Sequence, residues 1–291
     1  MDTTSQDDYD TSTEGTRASR EYGWSIGFGL QRTDGLTPSR YATDVARRHV
    51  RGDITYQQAA RQIHDYHTDN PDQRDHEEAD IVAQRISRIL AVPTFAFSPD
   101  ALKEIHRRLF TGILPDEWTG AWRTQTITKH EPVLLGKSVM YSDPAMIAPT
   151  LTYDFNQERL RQHDYDRMDD RNVADGVFAF ISGIWQIHPF REGNTRTTAV
   201  FAIQYLKFLG FDVDNRPFAD RAEYFRDALA LRNASIRRLR STAALDAFED
   251  ALLFHPDREL PDLRKTDATH HEFTDDDPDD PFDGPAHIGR H

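Results

Sequence analysis

Two strongly apolar segments, separated by a short charged loop, constrain the fold of this chain more than any other feature. The segments "VADGVFAFISGIWQI" and "TRTTAVFAIQYLKFLGF" are so apolar that each is predicted to be a central helix of the core. Pro189 ends the first helix, and the second begins near Gly193 or Asn194. The sequence therefore predicts two buried helices joined by the loop "HPFREGN".

Most of the remaining patterns are also helical, so the predicted fold class is all-α. The stretch "TPSRYATDVARRHVRGDITYQQAARQIHDYH" predicts two short helices, the second of which begins with Thr55 and Gln58 as a capping box. Ser98 and Pro99 are typical of the cap and first position of a further helix. Residues 124–143 instead alternate β-branched and polar side chains, which predicts a small β-hairpin or extended flap on the helical body.

The two ends of the chain differ in composition from the middle. Residues 1–22 and 261–291 are polar and acidic and have no apolar periodicity, so both are predicted to be disordered tails. Between them, residues 23–70 are predicted to form a helical module and residues 71–260 the main domain.

Composition excludes several classes of protein. With 291 residues, 37% of them apolar, the chain can bury a sizeable core. Its net charge of −14 argues against general nucleic-acid binding, because phosphate backbones require a basic face. It has no cysteine, no apolar window of membrane-spanning length and no signal-peptide pattern, so we expect a cytoplasmic protein that does not bind membranes.

The loop between the two apolar helices combines side chains that suit phosphate chemistry. His188 can take a proton from a hydroxyl near neutral pH, and Glu192 supplies an oxygen ligand of the kind that Mg²⁺ prefers. Gly193 lets the backbone approach a ligand, Asn194 can donate its amide, and Arg196 can bind a phosphate through two parallel bonds. The pattern indicates a site for phosphoryl or nucleotidyl transfer at the start of a helix.

The sequence "HPFREGNTR" resembles the signature of the Fic family, His-Pro-Phe-x-(Asp/Glu)-Gly-Asn-x-Arg, at every fixed position. The segments "LFTGILPDEWTGAWRTQTITK" and "GFDVDNRPFADRAEYFRDALALRNAS" also look like parts of that family, so the resemblance covers roughly residues 80–245. It implies a Fic-like helical bundle with a flap over the active site. It also implies transfer of AMP from ATP to a Tyr, Thr or Ser hydroxyl of a target protein, with Mg²⁺ as cofactor and pyrophosphate released.

The resemblance further implies roles for individual residues. His188 would be the base that deprotonates the target hydroxyl, Phe190 the core anchor of the loop, and Glu192 the Mg²⁺ ligand. The residues expected to bind the nucleotide and its phosphates are Gly193, Asn194, Thr195, Arg196, Tyr224 and Asn233. The flap residues expected to pair with the target backbone as an added strand are Lys137, Ser138, Val139, Met140 and Tyr141.

Two positions depart from the family pattern. Thr195 stands where many members have glycine, and Ala199 stands where the second arginine of the family would fall. These departures keep two alternatives open. One is a Fic-fold phosphotransferase or another nucleotidyltransferase, and the other is a nucleotide-binding module without turnover.

Residues 30–55 are similar to the small antitoxin partners of stand-alone Fic toxins, here fused to the front of the enzyme. The family's inhibitory pattern is (Ser/Thr)-x-x-x-Glu-(Gly/Asn), in which the glutamate pairs with the second arginine. Leu30 and Asp34 replace Ser/Thr and Glu in this chain, and Gly35 is kept. Because position 199 carries no arginine, the sequence predicts that Asp34 faces no arginine and that the inhibitory motif is degenerate.

Overall fold

The computed structural model describes residues 14–92 and 94–266, and the fold in this part of the chain is built from helices. The first six are α1 (Arg17–Gln31), α2 (Arg40–Arg51), α3 (Tyr56–Asp69), α4 (Glu77–Ala91), α5 (Pro99–Phe110) and α6 (Ile147–Gln162). The others are α7 (Asp170–Ile187), α8 (Asn194–Phe208), α9 (Arg216–Arg232), α10 (Ala243–Leu253) and α11 (Leu263–Thr266). The all-α prediction is confirmed. Among the described helices, none has the length and apolar character needed to cross a bilayer.

The predicted central pair of helices is α7 and α8. Every residue of α8 from Asn194 to Ile203 is buried, as an internal helix requires. The aromatic side chains that pack between α8, α7, α6 and the segment before α5 are Phe97, Phe155, Phe180, Phe201 and Tyr205. The loop "HPFREGN" is thus fixed at both ends by helices that cannot shift without disturbing the core.

Local helix signals are confirmed where the sequence contained them. Thr55 and Gln58 form the capping box of α3, and the Ser98 side chain accepts a hydrogen bond from the first turn of α5. The prediction of a disordered tail is wrong for residues 17–22, because α1 begins at Arg17 and is capped by the Thr16 side chain. Its first turns are polar and mostly exposed, so no apolar period indicated them. Residues 1–13 and 267–291 lie outside the described residues.

Helix α1 approaches its neighbours closely through glycines. A Cβ atom at Gly27 would lie 2.5 Å from the Ala83 carbonyl oxygen of α4, and one at Gly29 would overlap the backbone of α9 at Phe218. Ile26 and Leu30 of α1 belong to the main core. The close packing places the C-terminal end of α1 between α4, α8 and α9.

Helices α1 to α3 also share a small apolar cluster of their own, formed by Trp24, Ala42, Val45, Ala46, Ala59 and Ile63. The fully buried Asp80 of α4 connects this cluster to the main domain. It accepts hydrogen bonds from the backbone N–H and the hydroxyl of Ser39, at 2.7 and 2.6 Å, and lies 2.9 Å from His67 Nε2. These contacts join α2, α3 and α4 through one carboxylate.

Residues 124–143, the flap segment, do not form the predicted hairpin. Pro132–Leu134 is a 3₁₀ turn followed by Leu135 in the left-handed region, at φ 55°. Because Pro132 has no N–H to donate, the chain turns here and no ladder of strand pairs develops. The segment pairs instead with the chain after α9, through an isolated antiparallel bridge between Val139 and Ala234.

Candidate active site

His188 lies directly after α7, with its backbone in the left-handed region at φ 51°. Its Nδ1 atom is 3.2 Å from the Trp185 carbonyl oxygen, so the hydrogen resides on Nδ1 and is donated to that carbonyl. The Nε2 atom is buried and has no hydrogen-bond partner in the described part of the chain. The local backbone therefore selects the tautomer in which Nε2 can accept a proton.

The pKa of His188 lies well below its ordinary value of 6.5. Burial is the main cause, because it disfavours the charged imidazolium, and the positive charges of Lys129, Arg123 and Arg226 act in the same direction. The side chain is therefore neutral at physiological pH, which is the form that a general base requires.

Tyr141 of the flap segment covers His188. The two ring centroids are 4.3 Å apart, and the Tyr141 hydroxyl donates to Glu131 Oε1 at 3.3 Å. His188 is only 2% exposed, and the Tyr141 ring forms part of what covers it.

Asn194 holds the shape of the loop. Its Oδ1 accepts from the Phe190 backbone N–H at 2.9 Å, and its Nδ2 donates to the Phe190 carbonyl oxygen at 2.8 Å. The amide thus binds the loop at both ends, which leaves the second Nδ2 hydrogen for the phosphate contact predicted from the sequence. Phe190 itself is buried and stacks on His106, with ring centroids 4.0 Å apart, as expected of an anchor.

Sequence reasoning missed His106 of α5. Its Nδ1 accepts from the Gly120 backbone N–H at 3.0 Å, so the hydrogen on Nε2 is donated to the Glu192 carbonyl oxygen, 3.1 Å away. Burial lowers the pKa of His106 to about 4. The sequence does not indicate that His106 binds the backbone of the loop, because its partners are backbone groups distant in the chain.

Arg123 was also missed, although it connects the loop to the flap segment. Its Nε donates to the His188 carbonyl oxygen at 2.8 Å, and its backbone N–H donates to Pro189 at 2.8 Å. Its remaining nitrogens donate to the carbonyl oxygens of Gln125 and Ser142, at 2.7 and 2.5 Å. One buried guanidinium thus fixes the backbone of His188 relative to both ends of the flap segment.

The N-terminus of α8 has no side-chain cap. Gly193 precedes the helix at φ 72°, and a Cβ atom there would overlap the ring of Phe110, so only glycine fits. No side chain caps this helix end, and its first N–H groups and the helix dipole favour a negatively charged ligand. The Thr195 hydroxyl accepts from Trp185 Nε1 at 3.0 Å, which ties the first turn to α7.

Glu192 is the carboxylate beside this helix end. It is partly exposed, and its Oε1 lies 3.4 Å from Lys129 Nζ. No group of three or more His, Cys, Asp or Glu side chains able to hold a metal occurs in the described residues. A single exposed carboxylate fits a Mg²⁺ ion that arrives with nucleotide phosphates, since Mg²⁺ commonly uses one or two carboxylates together with phosphate oxygens.

Arg196 is buried and surrounded by partners from the N-terminal part of the chain. Its Nε lies 2.7 Å from Asp34 Oδ2, and its Nη2 and Nη1 donate to Glu78 and Gln31, at 2.7 and 3.1 Å. The prediction that Asp34 faces no arginine is therefore wrong. The 3₁₀ turn Arg32–Asp34 at the end of α1 brings the Asp34 carboxylate to Arg196, the arginine of the loop motif. The carboxylate thus occupies the guanidinium that was expected to bind phosphate.

The residues expected near adenine are not all at the site. Tyr224 is buried with its ring nearly parallel to that of Phe248, 6.2 Å away, and lines a cavity of about 120 Å³ with Asp227 and Arg264. None of the loop residues lines this cavity. Asn233 ends α9 and donates to Ser182 Oγ at 2.8 Å, which ties α9 to α7.

Arg226 of α9 is a third residue that sequence reasoning missed. Its Nη1 donates to the Thr33 carbonyl oxygen at 2.7 Å, and its Nη2 donates to Glu131 Oε2 at 3.0 Å. It therefore connects the Arg32–Asp34 turn to the flap segment.

Comparison with known proteins agrees with this arrangement. Residues 96–206 match the model of the Fic/DOC family. The chain is 29% identical over 118 residues to protein adenylyltransferase VbhT of Bartonella schoenbuchensis, a match that covers 40% of this chain and 23% of VbhT. It is also 29% identical over 143 residues to the probable protein adenylyltransferase y4lH of Sinorhizobium fredii, which covers 47% of this chain and 70% of y4lH. The match to the Fic/DOC family model is thus confined to residues 96–206, and the chain spans less than a quarter of the length of VbhT.

Among solved structures, the chain resembles BepC from Bartonella tribocorum, which was crystallised with bound AMPPNP. The TM-score is 0.47 at 18% identity, and the match covers 62% of this chain and 86% of that one. A Fic domain of a putative cell filamentation protein from Bartonella quintana matches with the same TM-score of 0.47, at 22% identity, over 63% of this chain and 84% of that one.

Proposed function

We propose that this protein transfers AMP from ATP to a Tyr, Thr or Ser hydroxyl of a target protein. The observation that carries the proposal is the buried, unpartnered Nε2 of His188, with its tautomer fixed by the Trp185 carbonyl, beside the uncapped N-terminus of α8. The names of the relatives VbhT and y4lH support the same reaction.

In the proposed reaction, Nε2 of His188 accepts the proton of the target hydroxyl while the hydroxyl oxygen attacks the α-phosphorus of ATP. The bond between the α-phosphorus and the bridging oxygen breaks, and pyrophosphate leaves. The first N–H groups of α8 and the backbone of Gly193 hold phosphate oxygens. Glu192 would hold Mg²⁺, which neutralises phosphate charge when bound.

The target docks along the flap segment in this proposal. An extended target segment would run beside Lys137, Ser138, Val139, Met140 and Tyr141 as an added strand. The carbonyl oxygen of Ser138 is already bound by Ser235, so the target would use the other edge of the segment. The exposed Met140 side chain supplies apolar contact there.

Mass spectrometry of proteins co-expressed with the full chain tests the proposal. We expect peptides that carry an added AMP on a hydroxyl residue, and none when His188→Ala replaces the wild type. A phosphoryl group on the same residues would favour the phosphotransferase alternative. Unmodified proteins, together with measurable ATP binding, would favour a nucleotide-binding module without turnover.

We further propose that the Arg32–Asp34 turn inhibits the enzyme. Asp34 and Gln31, together with Glu78 of α4, hold Arg196, so a nucleotide phosphate must displace contacts of this turn before it can bind this guanidinium. A charge-assisted contact in a buried site is strong enough to matter, at about 1.5–3 kcal/mol. The N-terminal helices would thus act as a fused inhibitor of the domain that they cover.

A further inference from the structure

Arg226 is a positively charged side chain of the active site that belongs to no part of the loop signature. It projects from α9, and 22% of its side chain is exposed. Its positive charge is one of those that depress the pKa of His188, so it lies within electrostatic reach of the proposed base.

The other cations near His188 contact the loop that follows α7. Arg123 is bonded to the backbone carbonyls that hold the loop, and Lys129 lies beside Glu192. Arg226 differs, because one of its two partners is the Thr33 carbonyl oxygen of the proposed inhibitory turn. If that turn moves, Arg226 loses a ligand and gains the capacity to bind another oxygen.

The same turn covers two arginines through adjacent residues. The Thr33 carbonyl holds Arg226 from α9, and the Asp34 carboxylate holds Arg196 from α8. Both guanidiniums are therefore bound by oxygen atoms of adjacent residues in one turn. A polyphosphate could replace those oxygens and meet both arginines at once.

We propose that Arg226 is a second phosphate-binding arginine for the nucleotide, uncovered together with Arg196 when the Arg32–Asp34 turn moves. The inference rests on the proposed nucleotide-binding function and names a residue for it. Helix α8 offers no second arginine of its own, since Arg196 is the single arginine between Asn194 and Phe208. Arg226 supplies the additional charge from α9.

The test compares nucleotide affinities in full-length protein that carries Asp34→Asn, which weakens the cover. In this background, Arg226→Gln should reduce affinity for ATP about tenfold or more, because it removes one charge-assisted contact. Affinity for adenosine, which has no phosphate, should stay the same. Arg226→Lys keeps the charge and should recover part of the loss.

Arg32→Gln is a matched control, because Arg32 and Arg226 both link the Arg32–Asp34 turn to α9; these links are called the tether. Arg32 donates to the Ala219 carbonyl oxygen and lies 3.5 Å from Glu223, so it links the same two elements without facing His188. Because it loosens the turn without removing a proposed phosphate ligand, it should not lower ATP affinity in the Asp34→Asn background. Equal losses in Arg32→Gln and Arg226→Gln would assign Arg226 to the tether and overturn the inference.

Removal of Arg226 takes away the positive charge that pairs with the fully buried Glu131 carboxylate, and an unpaired buried charge can prevent folding. The double variant Arg226→Gln with Glu131→Gln removes both charges and keeps the test valid. Unchanged ATP affinity in a folded variant would overturn the inference and leave the proposed enzyme intact. Absence of ATP binding in every background, the wild type included, would overturn both.

Discussion

Backbone groups control the chemistry of the key residues in this protein. The Trp185 carbonyl sets the tautomer of His188, the Phe190 backbone holds the amide of Asn194, and Arg123 binds carbonyls at both ends of the flap segment. A sequence motif identifies the side chains but does not name these partners, because any residue supplies a carbonyl. This is why the loop motif pointed to His188 and Glu192 but gave no indication of Arg123.

His106 gives a prediction for stability against pH. Its pKa is about 4 in the folded protein and ordinarily 6.5, so the unfolded chain binds more protons between these values. The folded protein therefore has its full stability above pH 6.5, with respect to this group, and loses stability as the pH falls from 6.5 towards 4. When the pH is lowered from about 7 to about 5, His106 should reduce the free energy of unfolding by about 2 kcal/mol.

Urea unfolding of His106→Gln measures this effect, because glutamine keeps polar atoms but does not titrate. The loss of stability between the two pH values should be smaller in this variant than in the wild type by about 2 kcal/mol. The matched control is the exposed His64→Gln, which should behave as the wild type. Identical pH dependence in all three proteins would show that His106 is not held in the neutral form.

At the scale of elements, strong local sequence signals predicted helices correctly, whereas a weak local signal did not predict the conformation of the flap segment. The capping box of α3, the cap and proline of α5 and the apolar runs of α7 and α8 each determine a helix through neighbouring residues. The flap segment has β-branched residues but pairs with the chain near Ala234, far along the sequence. Its conformation depends on that distant contact, so its local pattern predicted a hairpin that does not form.

The proposed docking role of the flap segment predicts an effect of Met140→Glu. The Met140 side chain is 60% exposed, so the change should not unfold the protein, but it places a charge where the target strand would pack. We expect target modification to fall about tenfold and ATP affinity to stay the same. The control Met168→Glu changes a methionine that is 41% exposed elsewhere on the surface, and it should have no effect. Parallel losses of both properties in Met140→Glu would place this residue in the nucleotide site or the fold.

At the scale of the whole molecule, the N-terminal helices and the main domain meet at Arg196. The sequence predicted a fused N-terminal module and located Asp34, but it predicted by analogy that the inhibitory carboxylate would pair with position 199 and, with Ala199 there, would face no arginine. The contact actually depends on how closely α1 packs on α4 and α9 through its glycines, which a motif does not encode. Ala199 lies in the packed core, so an arginine there would have no space.

The Asp34 contact predicts release of activity by Asp34→Asn. The change removes the negative charge that holds Arg196 and keeps the size of the side chain. Loss of a charge-assisted contact worth about 1.5–3 kcal/mol should raise the rate of target modification about tenfold to a hundredfold. The control Asp53→Asn breaks the exposed ion pair with Arg51 and should leave the rate unchanged. Equal rates for Asp34→Asn and the wild type would contradict the inhibitory role of the turn.

The most direct test of the central claim follows the label of ATP. Cell extract is incubated with the Asp34→Asn protein and with either α-labelled or γ-labelled ATP, and protein-bound label is measured. We predict that the α-label reaches protein and the γ-label does not, and that His188→Ala in the same background reduces the α-label by a factor of about 10² or more. Transfer of the γ-label, or an α-label that persists without His188, would contradict the account.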